Sequence, residues 1–316
     1  MLPATPLRMG VTVPHARKLA PGQRCRVLVA DIGTGDLRLV HESAAVLFEA
    51  PNWSADGDLV LNADGVLWRL PADGGAEPER IPITGVPDLN NDHVLAPDSK
   101  TVYVSANDWH VYAAPLAGGP ARRVTPDHDD RMHFLHGVSP DGARLAYIGL
   151  EPAGDDWWAA AHVYTIGVDG SGDRQLTTGG SPADGSEYSP DGAWIYFNTE
   201  AFSSEPGHAQ IARMRVDGSG IEQLTVDERV NWFPHLAPAG GAAVYLSYPP
   251  GTIGHPADLP VELRLVRDGR WTSAEVLHAL LGGQGTLNVN SWAPDGRSLA
   301  FVEYPFTDMS PGTEGA

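Results

Sequence analysis

Ser139-Pro140-Asp141-Gly142 is followed by the alternating run Leu145-Ala146-Tyr147-Ile148, and Ser189-Pro190-Asp191-Gly192 by Trp194-Ile195-Tyr196-Phe197. Proline presets φ at the first turn position and Asp-Gly tolerates the left-handed one, so each quartet predicts a tight connection between two antiparallel strands. Near-copies stand at Ser54-Ala55-Asp56-Gly57, Ala96-Pro97-Asp98-Ser99, Ala237-Pro238-Ala239-Gly240 and Ala293-Pro294-Asp295-Gly296. Six copies at intervals of roughly 40–55 residues specify an all-β repeat array, a β-propeller of six four-stranded blades.

The rest of each blade follows from the same pattern. A third strand is expected at segments such as Val66-Leu67-Trp68-Arg69 and His162-Val163-Tyr164-Thr165-Ile166. The twin segments Val168-Asp169-Gly170-Ser171-Gly172 to Thr177 and Val216-Asp217-Gly218-Ser219-Gly220 to Thr225 predict a second turn and a short outer strand. Residues 26–40 read as third and outer strands with no inner pair before them, and the copy at Ala293 has an inner pair with nothing after it. Joining the two completes a sixth blade and removes the open sheet edge. The domain therefore spans 25–305, between an N-terminal extension (1–24) and a C-terminal tail (306–316), with blade five stretched by an insertion from Tyr248 to Pro260.

Composition narrows the function classes. Forty acidic against 21 basic side chains, a formal charge of −19, repel phosphate backbones and anionic headgroups, so nucleic acid and membrane surfaces are poor partners. Cys25 stands alone and a reducing compartment is allowed. The opening Met1 to Arg8 lacks an uninterrupted apolar core and no run approaches a membrane span, so a cytoplasmic location is the simplest expectation. Gly282-Gly283-Gln284-Gly285-Thr286 is followed by neither Lys-Ser/Thr nor a helix, which argues against a nucleotide cofactor and for a chain crossing the channel mouth with Gln284 aimed inward.

Inner strands of a propeller run along its axis, so polar residues just ahead of each turn are candidates to face the channel. They are Asn52, Asp92, His93, His133, His136, Asp184, Glu187, Asn231, His235, Asn288 and Asn290. Imidazoles from three blades joined by carboxylates suit a divalent cation such as Mn, Fe, Zn or Ca. The other reading is that Asn and His bond the strand ends or channel waters. His255 and Asp258, in the insertion, are placed to close over the channel or to lie on its surface. Arg264 faces either a buried anion or Glu262. Trp157 and Trp158 suit stacking on a sugar or packing between blades.

The chain resembles the TolB-like propeller proteins through its Ser-Pro-Asp-Gly repeats and its Asp-Gly-Ser-Gly to Gln-Leu-Thr segments. It is also similar to oligogalacturonate lyases, repeat propellers that hold an axial metal through histidines and a glutamine and act by β-elimination. That likeness implies a metal on His136, Glu187, His235, His255 and Gln284, with His93 as general base and Arg264 offsetting the enolate charge. Asn52, Asp92, Asn231, Asn288 and Asn290 would bind a small-molecule or oligosaccharide ligand. Where the lyases carry a His-x-His pair, this chain has Asn288 and Asn290. The TolB likeness implies the alternative, a non-catalytic propeller that binds a protein partner.

Overall fold

The computed structural model describes residues 16–127, 131–151 and 161–307. Trp157 and Trp158 lie outside them. Blade one is built from Glu49–Trp53, Asp58–Ala63, Val66–Pro71 and Glu79–Arg80, in that order outward from the axis. Blades two to five repeat it, beginning at Leu89–Leu95, Met132–Val138, Ala183–Tyr188 and Val230–Leu236. Each inner strand turns back through its Ser-Pro-Asp-Gly copy. The fourth residue of the turn is left-handed in all six, from Gly57 (φ 89°) to Gly296 (φ 67°), and Ser99 holds φ 57° in the copy that lacks glycine.

Blade six closes the ring as the sequence predicts. Ser298–Glu303 pairs with Cys25–Asp31, which pairs with Leu37–Ser43, so the third and outer strands come from the beginning of the chain. Its inner position departs from the expectation. The stretch before Trp292 forms a single bridge, Trp292 to Leu299, instead of a ladder. There the Asn288 carboxamide accepts the Gly285 N–H (2.7 Å), and Asn290 bonds across to Glu187 and Leu236. Side-chain bonding replaces sheet pairing in that stretch.

Apolar faces of adjacent blades meet in continuous clusters, as where Trp232, Tyr248 and Leu263 of blade five pack with Phe301 of blade six. Burial of such side chains contributes about 1.5–3 kcal/mol each. Cys25 is fully buried in the first strand, and burial pushes its thiol up to about 12.

The pairing register shifts within the inner strands of blades one to five, at Glu49/Asn52, Leu89/His93, Leu135/Gly137, Asp184/Glu187 and Trp232/His235. Such a shift leaves residues outside the ladder and re-aims the side chains beside it. Polar residues on the second strands catch several of these. Asn62 donates to the Asn90 carbonyl (2.7 Å), Ser105 accepts the Leu135 N–H (2.8 Å), and Asn198 accepts the Phe233 N–H (3.2 Å). Within the blade-four shift Gly185 has φ 64°, and a Cβ there would lie 2.8 Å from Asn198 Oδ1 and 3.1 Å from the Phe233 ring. Gly185→Ala is accordingly expected to lower stability by about 2 kcal/mol in denaturant titration, and a neutral result would show that the segment relaxes freely.

Candidate functional site

Distance from the turn sets how deep along the axis each polar side chain sits, because a strand advances about 3.3 Å per residue. Asn52, Glu187 and His235, two residues ahead of their turns, occupy one level. Glu49, Asp92 and Asp184, four or five residues ahead, occupy another. His136, three ahead, lies between them and borders a cavity on either side.

The turn-side level is a closed plug. His235 Nδ1 lies 2.6 Å from Glu187 Oε2, and its Nε2 donates to the Leu287 carbonyl (3.0 Å). Glu187 Oε1 accepts the Leu236 N–H and the Asn290 amide, both at 2.8 Å. Asn52 accepts the Leu95 N–H (2.9 Å) and donates to the Asn290 carbonyl. These groups stitch neighbouring inner strands together. Beyond them a funnel of about 530 Å³ opens on the turn face, rimmed by Pro97, Pro140, Pro190, Pro238 and Pro294 with Trp53 and Trp292.

At the opposite end lies a cavity of about 350 Å³. Its floor holds Asp92, His136 and Asp184, with Gln284 and Asn288 beside them, and its wall is formed by Trp109, Phe134, Ile148, Leu150 and Phe233. Two of the aromatic residues are left-handed, Trp109 at φ 70° and Phe233 at φ 54°. That region is strained for bulky side chains, and such strain gathers at functional sites. Hydrogen bonds hold both in place. The Trp109 carbonyl accepts from His133 Nδ1 (2.8 Å) and from the His133 backbone N–H (3.1 Å), while Phe233 is held by Asn198.

His136 Nε2 donates to Asp184 Oδ1 (2.9 Å). Burial works against a charged ring, but the charges of Asp184 and Asp92 and the Asp184 hydrogen bond outweigh it and hold His136 at about 9. Burial also acts most strongly on Asp184, yet His136 and His255 keep its carboxyl below the ordinary range. Asp92 differs. Burial, only partly offset by His136, lifts its carboxyl to about 7.

The insertion lies over this cavity. His255 Nδ1 donates to Gln284 Oε1 (2.5 Å), which also accepts from Asn288 (3.0 Å), and His255 Nε2 points to Asp184 Oδ2 at 3.7 Å. Burial chiefly keeps the His255 ring below its usual value. Gly283, at φ 117°, admits the approach, since a Cβ there would lie 2.1 Å from the Pro256 carbonyl. Gln284 thus borders the cavity from the channel mouth. Arg17 completes the mouth, bonding Glu49 (2.9 Å) and the Gln284 carbonyl and lying 3.4 Å from Asp258.

Several sequence expectations need correction. The five expected metal donors do not converge, for Glu187 and His235 are consumed by each other and by backbone on the plug level, while His255 and Gln284 bond each other at the opposite end. Among the described residues no group of three or more His, Cys, Asp or Glu is arranged to hold a metal ion. His93 does not border the cavity. It is fully buried, its Nε2 donates to the Val60 carbonyl (3.1 Å), and burial drops it to about 4. Arg264 lies on the third strand of blade five, paired with Glu262 at 2.7 Å. Asn231 is bonded to Ser247, Asp227 and Gln210, away from the cavity. Sequence reasoning missed Arg17, Glu49, Trp109 and Phe233. Glu49 was findable, because it precedes its turn by the same five residues as Asp184.

No protein-family model matches the chain. An uncharacterized protein of Agrobacterium fabrum is 38% identical over 298 residues, spanning 92% of this chain and 97% of its own length. The solved structure of an Agrobacterium tumefaciens protein described as a TolB superposes with a TM-score of 0.81 at 37% identity, covering 90% of this chain and 99% of its own. The chain belongs to the TolB-like β-propeller proteins. Oligogalacturonate lyase of Vibrio parahaemolyticus matches this TolB-like propeller with a TM-score of 0.55 at 11% identity, over 90% of this chain and 78% of the lyase. A manganese complex of an oligogalacturonate lyase gives the same score at 12% identity. At those identities the likeness is one of fold.

Proposed function

We propose that this TolB-like propeller binds a sugar or related polyol in the axial cavity beneath the insertion. The observation that carries the reading is the strained aromatic wall of Trp109 and Phe233 facing an amide and carboxyl floor. Aromatic faces take the C–H face of a sugar ring, and side-chain amides both donate to and accept from hydroxyl groups. A volume of about 350 Å³ falls in the range of small-molecule sites. A uronate fits less well than a sugar without a carboxylate, because the cations at the site are already matched, Arg17 by Glu49 and His136 by Asp184. No step through a metal is invoked, since the donors are not gathered.

Isothermal titration against a panel of mono- and disaccharides tests the proposal. At least one neutral or basic sugar is expected to bind, and Trp109→Ala is expected to weaken it by about tenfold or more through lost stacking. Binding untouched by that substitution would place the ligand elsewhere.

A second reading rests on the proline-rimmed funnel of the turn face, whose apolar lining suits a protein segment. It predicts that a protein partner, once added, slows hydrogen exchange at 94–96, 138–139 and 188–189. Protection confined to the insertion would argue against it.

A further inference from the structure

We infer that the axial cavity takes a ligand bearing one positive charge, a hydroxylated primary amine of the amino-sugar class, with its ammonium group on Asp92. The inference rests on the sugar-binding reading and narrows it. Three acids border the cavity, Glu49, Asp92 and Asp184. Glu49 is paired with Arg17 at 2.9 Å and Asp184 with His136 at 2.9 Å. Asp92 is 6% exposed, and among the described residues no hydrogen bond or close ion pair holds its carboxyl, which feels the His136 charge only at longer range.

A buried carboxylate without donors is costly, so such a group either holds a proton or meets a cation. The charged and titratable groups around it come from every element at the cavity: Arg17 from the N-terminal extension, Glu49 from blade one, His136 from blade three, Asp184 from blade four and His255 from the insertion. With His136 charged and His255 neutral, the two formed pairs cancel and ionised Asp92 leaves one uncompensated negative charge. In the free protein a proton fills that role, consistent with the raised Asp92 carboxyl. A ligand ammonium can replace the proton. It brings three donors to Asp92 and the nearby amides, and the faces of Trp109 and Phe134 on the wall offer it further attraction. A second carboxylate, as on a uronate, would add to the imbalance.

Titration of the full-length protein with D-glucosamine, D-glucose and D-glucuronate near pH 7 tests this, because the three probes share a pyranose ring and differ in charge. Glucosamine is expected to bind about tenfold or more tighter than glucose, as a charge-assisted bond to Asp92 implies, and glucuronate more weakly than either. Its binding enthalpy is expected to vary with the buffer's ionisation enthalpy, since the ammonium expels the Asp92 proton. Asp92→Asn, which mimics the protonated acid and should fold, removes the preference. Glucose binding as tightly as glucosamine, or a preference unchanged in D92N, overturns the inference and leaves the sugar pocket standing. Failure of all three probes to bind overturns both.

Discussion

Glu187→Ala is expected to destabilise the folded protein by about 3–5 kcal/mol, because it removes one buried acceptor that several donors share. The carboxylate has three partners in the axial plug: His235 Nδ1 at 2.6 Å, the Leu236 N–H and the Asn290 amide. His235 is 1% exposed, so losing Glu187 leaves its Nδ1 without its partner inside the plug. Each orphaned donor adds roughly 1–3 kcal/mol of unrecovered desolvation. His235→Ala removes the same contact and should be strongly non-additive with it in a double-mutant cycle. Glu187→Gln keeps an acceptor for Leu236 and should cost less. Urea titrations of the wild type and the four variants measure this directly. A loss under about 1 kcal/mol for Glu187→Ala would mean that the plug does not hold the inner strands together.

The second large effect concerns pH. His136 holds its proton to about 9 in the folded state against an ordinary 6.5, so its contribution is fully present below about pH 6.5 and disappears as pH rises through 9. Asp92, at about 7 against an ordinary 3.8, acts in the same direction, its contribution fading as pH rises through 7. His93 and His133, both pushed to about 4 chiefly by burial, act oppositely, and their contribution is lost as pH falls from 6.5 toward 4. The opposing groups offset each other in mild acid. Above neutrality His136 is left to dominate, and stability is expected to fall by on the order of 2–3 kcal/mol between pH 6.5 and 9. Thermal melts across that range give the slope, and His136→Asn should flatten it. A melting temperature that rises through this interval would mean that the ring is neutral in the folded protein.

The two predictions probe different levels of one axis, and the levels were only partly readable in the chain. Asn52, Glu187 and His235 stand two residues ahead of their turns and Asp92 and Asp184 four or five, a difference that translates directly into depth along a strand. Read as a single set, these residues suggested one shared ligand, with Glu187 and His235 among its metal donors. Counted from the turn they separate into a structural plug and a cavity floor. His93 shows the limit of the method, since it neighbours Asp92 in sequence but points to the Val60 carbonyl, strand side chains alternating in direction. Arg17 and Trp109 carried no local signal at all. The first enters the site from the N-terminal extension, and the second is held left-handed by His133 of the next blade.

Sequence alone determined the ring: the turn quartets, their recurrence and the complementary ends specify six blades closed by the N-terminal strands, because turn chemistry and strand alternation act over a few residues. Which axial side chains satisfy one another, and that the Asp92 carboxyl has no hydrogen-bond partner among the described residues, was decided only when blades far apart in the chain met around the axis. Local rules cannot count partners that distant strands supply, and that count separates the Glu187–His235 pair from Asp92.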